Sequence, residues 1–504
     1  MSPTHVERSF RWVFALIVTF TLIDRAWMVH TTMGHASDDI VVVWLGTTDY
    51  AQGVFHEPFF YGQDYGVMLE AWLAAPFVWA GCDVVTTIAV LFGLLAILPF
   101  LAFALHHRQR GEWWPAMLFA AMPLLLPVEH GLQVTALNGL AVLAAVPLIQ
   151  RARSFTLRGA LLTFVLGLAV FVNPNAALLA LPLGLEHLVK HRREKGTVSG
   201  MLMGALPVIL IWLATRWFFH ERVITNTIFD WRLHFKPYMI PTAFERLNLH
   251  FAWTAPLAGT ASSIALVLLT GAIILLLVQR RMAAMWSALS AVALIIFSFS
   301  FAKVHDGSDS IFFPLSRIFL GMPLLLAWCW GRLEIRRSLL APLVMVVAIA
   351  ALAHGIQRMA VARATYAEAL LHQDGLPVRT RTVAAIRAKC ALVAERAMNN
   401  QADAIYLLRG SDGFTAQFLA YGIPVFHPDA PMTWMVGHDR RDLQRAQDSD
   451  QVVEHALIVG GNGEHLAHAL SFRDQRALVR AADPLMILVH TPGYRSREIL
   501  RKLQ

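Results

Sequence analysis

The residues best suited to chemistry lie in one stretch near the N-terminus, from His35 to Glu70. This stretch holds six carboxylates and contains no Lys or Arg. Asp38 and Asp39 are adjacent, and their mutual repulsion favours the uptake of a proton by one of them. Such a carboxylate can accept the proton of an attacking hydroxyl. The pair also suits a solvated loop or a helix N-cap before the apolar residues 40–45, where Asp is common in any protein.

Aromatic and amide side chains follow the acid pair in the same stretch. Residues 59–66 read FFYGQDYG and residues 69–76 read LEAWLAAP. Aromatic rings stack on sugars, and amides and tyrosines hydrogen-bond to hydroxyls. We therefore interpret the stretch as an irregular, sugar-binding loop. Its candidate substrate-binding residues are Tyr61, Gln63, Tyr65 and Glu70.

The elements that must position these residues are membrane-spanning helices. The chain has 504 residues, of which 57% are hydrophobic and 15% charged, with a mean hydropathy of +0.53. A soluble surface needs more charge than this. The apolar runs are long enough to cross about 30 Å of hydrocarbon. We expect eleven spans, near residues 12–30, 84–105, 113–128, 132–149, 157–173, 175–189, 198–219, 257–278, 283–301, 312–330 and 338–354.

The net charge of +8 indicates topology and not nucleic-acid binding. The basic residues form short clusters between apolar runs, at 108–110, 151–158, 190–195, 280–281 and 332–337. The positive-inside rule then predicts a cytoplasmic N-terminus in a multi-pass protein of the bacterial inner membrane. Arg8 and Arg11 precede a first apolar run that continues to about Val29, so we expect an uncleaved signal anchor. After an odd number of spans, the rest of the chain is expected in the periplasm.

The predicted organisation is a membrane domain, 1–354, followed by a periplasmic soluble domain, 355–504. The membrane domain carries outer loops at 31–83 and 220–256. The apolar residues 71–80 are too short to span, so we expect a helix that lies in the interface or leads into the second span. In the soluble domain, short apolar runs alternate with helix-like pieces, which predicts a small α/β domain with a largely parallel sheet. The expected strands are 404–408, 423–426, 456–459 and 486–489, and the expected helices are 380–399, 414–421 and 473–482.

The first 80 residues resemble the GT-C glycosyltransferases, specifically the family 39 and 83-like group of protein mannosyltransferases and aminoarabinose transferases. The resemblance rests on Asp38-Asp39, on Tyr61-Gly-Gln-Asp-Tyr-Gly and on Leu69-Glu-Ala-Trp. Members of the group usually carry Asp-Glu as the acid pair, whereas the second acid here is Asp39. The remaining membrane region agrees with the group only in helix count and loop placement, and the resemblance does not explain residues 355–504.

The resemblance implies an inverting transferase that moves a sugar from a polyprenyl-phosphate donor to a periplasmic glycan, lipid or protein. It assigns the general-base role to Asp38 and a supporting or ligand role to Asp39. No cofactor is required, although the two carboxylates could hold a divalent metal. The lipid phosphate that leaves needs cations near the outer bilayer surface. The candidates are Arg25, Lys303, His305 and Arg317.

Polar residues at outer helix ends are weaker candidates for the same cavity. Glu129, His130, Asn173 and Asn175 occupy such positions, and Asn138 suits a helix-to-helix hydrogen bond. Each residue equally suits a turn with no function. Arg25 and Arg317 equally suit snorkelling to the interface, with Asp24 assisting Arg25.

Two other functions fit a polytopic membrane protein. A transporter or flippase of lipid-linked or small solutes carries ionisable residues near the membrane midplane, often on broken helices. In this chain the middles of the spans are almost uncharged, and the acidic and basic residues gather at the membrane surface. A ligase or polymerase acting on polyprenyl-diphosphate glycans would centre on a large basic outer loop, whereas this first loop is acidic. For the soluble domain, binding of the acceptor or a partner and simple stabilisation of the membrane region both stay open.

Overall fold

The structure, a computed structural model, describes residues 3–61, 65–132, 135–220, 263–298, 319–367, 381–408, 413–436, 451–460, 474–477 and 486–503. Each of the eleven predicted spans contains helix within these residues. The membrane helices are α1 (Pro3–Thr32), α4 (Val84–Gln109), α5 (Trp113–Leu125), α6 (Asn138–Val142), α7 (Val146–Ile149), α8 (Phe155–Val172), α9 (Ala177–His191), α10 (Thr197–His220), α11 (Ser263–Val278), α12 (Met282–Ser298), α13 (Met322–Gly331) and α14 (Arg337–Ala367).

The predicted polytopic helical fold is confirmed. Five helices are long and apolar enough to cross a membrane, namely Glu7–Thr32, Val84–Gln109, Phe155–Val172, Thr197–His220 and Arg337–Ala364. The other apolar helices of the described chain are shorter. Most of the shorter membrane helices pack with four of the long ones, α1, α4, α8 and α14, around one large apolar cluster that runs from Phe10 to Ala351.

The predicted fourth span, 132–149, is wrong as a single helix. It consists of the 3₁₀ turn Val128–Leu132, then α6, a second 3₁₀ turn at Leu143–Ala145, and α7. Pro147 has no N–H to donate to the preceding turn, which favours a break before it. Gly139 permits a close approach, since a Cβ there would lie 2.6 Å from the carbonyl oxygens of Ala169 and Asn173. The missing side chain of Gly139 therefore lets α6 press against the end of α8.

The first outer loop is more ordered than predicted. Residues Asp38–Ala51 form helix α2, and Leu69–Trp79 form helix α3, where a short apolar helix was expected. The Oγ atom of Ser37 accepts a hydrogen bond from the Ile40 amide at 3.2 Å and so caps α2. Both aspartates then fall in the first turn, where negative charge complements the helix dipole. The acid pair therefore lies on a helix and not on an irregular loop.

The C-terminal domain is α/β, as predicted, but its sheet is mixed. Its elements are α15 (Val383–Asn399), β3 (Ala404–Leu408), α16 (Gly413–Phe426), β4 (Met432–Val436), β5 (Val452–Val459), β6 (Asp474–Ala477), β7 (Met486–Arg495) and α17 (Ser496–Leu503). The strand order is β4-β3-β5-β7-β6. The β3 strand pairs in parallel with β4 and β5, whereas β7 pairs antiparallel with β5 and β6.

Two predicted elements of this domain are wrong. Residues 423–426, expected as a strand, form the last turn of α16, because Ile423 continues the buried helical face of Phe418 and Leu419. Residues 474–477, expected in a helix, form β6, because an edge strand gains backbone hydrogen bonds from β7 that local propensity does not report.

The C-terminal domain packs directly on the first outer loop. A two-residue strand β1 (His35–Ala36) pairs antiparallel with β2 (Arg381–Thr382). One continuous apolar cluster includes Val42 and Trp44 of α2 together with Ile386 of α15 and Phe418 of α16. The helix that carries the acid pair is thus sandwiched between the membrane region and the soluble domain.

Candidate active site

The acid pair lies at the start of α2, next to the short sheet formed by β1 and β2. Asp38 and Asp39 are half-buried at the start of α2, directly after Ser37 and the β1 strand. The Val383 amide of the soluble domain donates a 2.8 Å hydrogen bond to the Gly34 carbonyl. Helix capping and this strand pairing together determine where the two carboxylates lie. Their catalytic role stays a prediction.

A second polar cluster lies at the opposite end of α2. The Tyr61 hydroxyl, on a fully buried ring, donates a 2.7 Å hydrogen bond to Oδ2 of Asp49. The same oxygen lies 3.9 Å from Nε2 of His56. At about 1.5 Å per residue, Asp49 is roughly 16 Å along the helix from Asp38. The structure therefore brings Tyr61 beside Asp49 and not beside the acid pair, and sequence analysis assigned no role to Asp49 or His56.

Glu70 is a fully buried carboxylate in the first turn of α3. Nδ2 of Asn138 donates to its Oε2 and also to the Val67 carbonyl at 3.1 Å, while Oε1 has no partner among the described residues. Burial raises the pKa of Glu70 to about 7, although the hydrogen bond from Asn138 opposes that shift. Near neutral pH this side chain can therefore give up or take a proton. A hydrogen bond between membrane helices was predicted for Asn138, whereas the side chain bonds to residues of the first loop.

An aromatic cluster covers the same end of α2. The Tyr50 ring stacks on Trp72 with centroids 4.3 Å apart, and Phe55 lies 6.0 Å from Trp72. Within the described chain the buried Tyr50 hydroxyl finds no hydrogen-bond partner. Burial, and then the charges of Glu57, Asp49 and Glu70, raise the pKa of Tyr50 above its ordinary value. A protonated hydroxyl donor is thus held near three carboxylates.

A cavity of about 450 Å³ opens beside these groups, between α8 and α10. We call it the apolar cavity. Phe59 and Tyr65 of the first loop line it, together with Phe171, Trp212 and Arg216. The Arg216 guanidinium carbon lies 5.3 Å from the centre of the Trp212 ring. Arg216 is a cation that sequence analysis missed, because its apolar neighbours made it resemble an ordinary helix end.

The asparagines after α8 have a structural role. Oδ1 of Asn173 accepts a 3.1 Å hydrogen bond from the Asn175 amide, and Nδ2 of Asn175 donates to the Ala136 carbonyl at 3.2 Å. Nδ2 of Asn173 donates to the Thr135 carbonyl at 3.4 Å. These bonds hold the segment that leads into α6, and so they support Asn138 and, through it, Glu70.

Arg25 is buried on α1, and its neighbour Asp24 is also engaged by a second cation. Both oxygens of Asp24 accept hydrogen bonds from Arg358 on α14. Adjacent helical residues point about 100° apart, so Asp24 and Arg25 face different neighbours. The Arg25 guanidinium packs on Gly131, where a Cβ would lie 2.5 Å from Nη1.

The neighbouring His130 is also buried and donates to the Leu320 carbonyl at 3.3 Å. Burial, with a smaller effect from nearby Arg25 and Arg358, lowers the pKa of His130 to about 4. It is therefore neutral near neutral pH and adds no further positive charge beside Arg25.

Four predicted site residues lie outside the described residues: Gln63, Lys303, His305 and Arg317. Part of the outer loop predicted at 220–256 lies outside them as well, from residue 221 onward. Among the described residues no group of three or more His, Cys, Asp or Glu side chains could hold a metal ion. Metal binding by Asp38 and Asp39 stays a prediction.

The fold and site define a polytopic helical membrane protein with a C-terminal α/β domain, built around an acidic and aromatic first loop. The crystal structure of ArnT from Cupriavidus metallidurans in the apo state has this fold. The match has a TM-score of 0.56 and 14% sequence identity, and it covers 96% of this chain and 98% of that chain. The two chains therefore share one fold along almost their whole length. No protein-family model matches the chain, and comparison with curated proteins finds no match.

Proposed function

We propose that this protein is an inverting glycosyltransferase that moves a sugar from a polyprenyl-phosphate donor to a periplasmic acceptor. The observation that carries the proposal is the apolar cavity, because it opens beside the first loop and combines apolar walls with Tyr65 and Arg216. The ArnT-like fold and the first loop's resemblance to the aminoarabinose transferase group support the same activity.

The cavity suits the two chemically different parts of such a donor. Its aromatic and aliphatic walls, from Phe59, Phe171, Val208 and Trp212, can hold isoprenoid carbons at the membrane boundary. Arg216 offers a planar fork of donors that matches phosphate oxygens. The first loop, on the adjoining side, would then hold the sugar. Arg25, Lys303, His305 and Arg317 stay candidates for the same phosphate.

In the proposed reaction an acceptor hydroxyl attacks the anomeric carbon from the face opposite the phosphate. A new carbon–oxygen bond forms as the bond from the anomeric carbon to the phosphate oxygen breaks, and its electron pair leaves on that oxygen. Asp38 takes the hydroxyl proton. Asp39 supports Asp38 or holds a divalent ion, and Tyr61, Gln63, Tyr65 and Glu70 bind the sugar. Cations beside the phosphate stabilise the leaving charge.

The proposed compartment is a bacterial inner membrane, with a cytoplasmic N-terminus and the first loop and C-terminal domain in the periplasm. The supporting observation is the distribution of charge in the helical bundle. Arg110, Arg158, Lys190 and Arg332 line one end of it. The acid pair and the soluble domain lie at the opposite end, as the positive-inside rule requires of this orientation.

The test is transfer from polyprenyl-phosphate sugars by the purified protein carrying Asp38→Asn. We expect roughly a 10²- to 10⁴-fold loss of transfer, the range for removal of a general base. Binding of polyprenyl phosphate should be unchanged. Asp83→Asn is the matched control, because Asp83 is an exposed carboxylate of the same loop that pairs with Arg387. Full transfer by the Asp38→Asn protein would contradict the assignment of the base.

Arg216→Gln tests the phosphate site. It should weaken polyprenyl-phosphate binding while leaving the fold intact, since Arg216 is exposed and pairs with no carboxylate in the described chain.

A transport assay separates the transferase from the transporter. Uptake of a solute by the protein in liposomes, with no consumption of a lipid-linked sugar, would replace the transferase with a transporter.

A further inference from the structure

A second cavity, of about 280 Å³, lies at the other end of the helical bundle. We call it the basic cavity. The α4 helix begins at Val84, beside the soluble domain, and at about 1.5 Å per residue it reaches His107 roughly 35 Å away. The α8 helix ends at Val172, whose carbonyl accepts a 2.9 Å bond from the Val67 amide of the first loop. The basic cavity lies where α4 ends and α8 begins, far from the candidate active site.

The lining of the basic cavity has an excess of positive charge. Four cations, Arg110, Arg158, Lys190 and Arg332, face it, against the two carboxylates Glu112 and Glu186. With the histidines neutral, the lining carries a net charge of two positive units. Inside a protein this charge is screened less than in water, so it attracts an anion more strongly than an exposed basic surface does.

The two carboxylates are already paired. Glu186, which is 5% exposed, accepts from Lys190 at 2.5 Å and from Arg332 at 2.8 Å. Glu112 accepts from Nδ1 of His107 at 2.6 Å and lies 3.4 Å from Arg110. These pairs hold three of the four cations in position around the space.

Arg158 differs from the other three cations. Its Nε and Nη2 atoms donate to the Ala152 carbonyl, at 3.1 and 2.5 Å, and its guanidinium carbon lies 5.2 Å from the centre of the Phe155 ring. In the part of the chain that the structure describes, it pairs with no carboxylate. The charge of Arg158 is therefore oriented by the backbone and left for another anion.

Two histidines complete the floor. His106 is 6% exposed and His187 is 9% exposed, and both line the cavity. The Nε2 atoms of both are buried and have no hydrogen-bond partner among the described residues, and the same holds for Nε of Arg332. A buried polar atom without a partner is costly. Three side chains that line one polar space thus carry an unsatisfied polar atom, which a hydrogen-bonding ligand in that space could satisfy.

We propose that the basic cavity is a binding site for a phosphate group, presented by an anionic phospholipid of the adjacent leaflet or by free phosphate. Arg158 and Arg332 supply planar forks that match phosphate oxygens, and Lys190 adds a third cation. His106 and His187 hydrogen-bond to the remaining oxygens from the floor. The exposed side chains of Arg110 and Lys190 lie at the mouth, level with the helix ends where lipid headgroups lie.

The test uses the purified full-length chain. Its thermal unfolding midpoint is measured in neutral detergent with inorganic phosphate, and with sodium chloride at equal ionic strength as the control for screening. The second arm uses phosphatidylcholine nanodiscs with and without phosphatidylglycerol. We expect a rise of the midpoint with phosphate, with phosphatidylglycerol, or with both. A response only to phosphatidylglycerol identifies a lipid headgroup, and a response to phosphate identifies the free anion.

The variants decide whether the effect comes from this site. Arg158→Gln should weaken binding about tenfold or more, because a charge-assisted contact is lost. Arg332→Gln should do the same. Arg153→Gln is the matched control, because Arg153 is an exposed arginine of the same connection that does not line the cavity. Equal losses in the Arg153→Gln and Arg158→Gln proteins, or no response of the wild-type chain in either arm, would overturn the proposal.

Discussion

The Tyr61 hydroxyl donates a 2.7 Å hydrogen bond to Oδ2 of Asp49, joining two parts of the first outer loop. Tyr61 begins the segment that resembles the transferases, and Asp49 ends the helix whose first turn carries Asp38 and Asp39. The side chain of Met68 also lies against Gly46 on the same helix. The acid pair and the predicted sugar-binding segment are thus attached to opposite ends of one packed unit.

Loss of this bond should weaken both stability and transfer. Tyr61→Phe keeps the ring but removes the donor to the half-buried Asp49 oxygen, at a cost of about 1 kcal/mol. We expect a lower unfolding midpoint and slower transfer, measured on the same purified sample. Thr48→Val serves as the control. Thr48 directly precedes Asp49, and its hydroxyl donates only to the Trp44 carbonyl of its own helix. Wild-type behaviour of Tyr61→Phe would show that the bond does not hold the loop.

The stability of the protein should depend on pH through Glu70. Its folded-state pKa of about 7 lies above the ordinary value of 4.5. Between these values the folded chain holds a proton that the unfolded chain has lost, so stability falls as pH rises from about 4.5 to about 7. Glu70→Gln cannot ionise, and its amide oxygen still accepts from Asn138. The unfolding midpoint of this variant should therefore decline less over that range; an identical decline in the two proteins would exclude Glu70 as the cause.

Arg358 should be needed for folding of the membrane region. It donates to both oxygens of Asp24, and Nη1 also donates to the Pro123 and Leu126 carbonyls at 2.5 and 3.0 Å. Arg358→Gln leaves Asp24 buried without its cation, which typically costs about 3–5 kcal/mol.

The matching double variant, Asp24→Asn with Arg358→Gln, should recover part of that stability, since neither member of the pair is left charged without the other. The exposed pair Arg11 and Glu7 provides the control, because Arg11→Gln should cost about 1 kcal/mol or less. Denaturant unfolding in detergent measures all three. A double variant less stable than Arg358→Gln would contradict this account of the pair.

Docking of the soluble domain should depend on Trp44. This side chain is 1% exposed, and its ring centre lies 5.8 Å from that of Phe426 on α16. Trp44→Ala should cost about 3–5 kcal/mol and make the domain easier to cleave from the membrane region. Limited proteolysis with detection of the released fragment measures this.

Two controls separate packing from other effects at that interface. Trp44→Phe keeps an aromatic ring and removes an indole N–H that no described residue accepts, so it should stay close to wild type. Arg387→Gln breaks the exposed 3.0 Å pair with Asp83 and removes the guanidinium that lies 4.9 Å from the centre of the Phe426 ring, so it should change stability by about 2 kcal/mol or less. A larger effect from Arg387→Gln than from Trp44→Ala would assign docking to charge and not to packing.

The sequence by itself determined the membrane class, the positions of most membrane helices and the α/β character of the C-terminal domain. These properties follow from local composition, since twenty apolar residues must form a helix in a bilayer whatever surrounds them. The first-loop motifs also predicted a helical membrane domain followed by a soluble domain, and the ArnT structure has the same fold. Hydropathy failed locally at 132–149, where composition alone predicts one continuous helix. There a proline and the close approach of α6 to α8 interrupt the helix.

Only the tertiary structure decided which polar groups meet. Arg358 reaches Asp24 across 334 positions, and Asn138 reaches Glu70 across 68. Arg216 became a site candidate only when α8 and α10 enclosed a cavity beside Tyr65. Such pairings depend on how helices pack and rotate against each other, and no local pattern encodes that. A residue's type determines what it can bind, whereas the packed fold determines what is within reach.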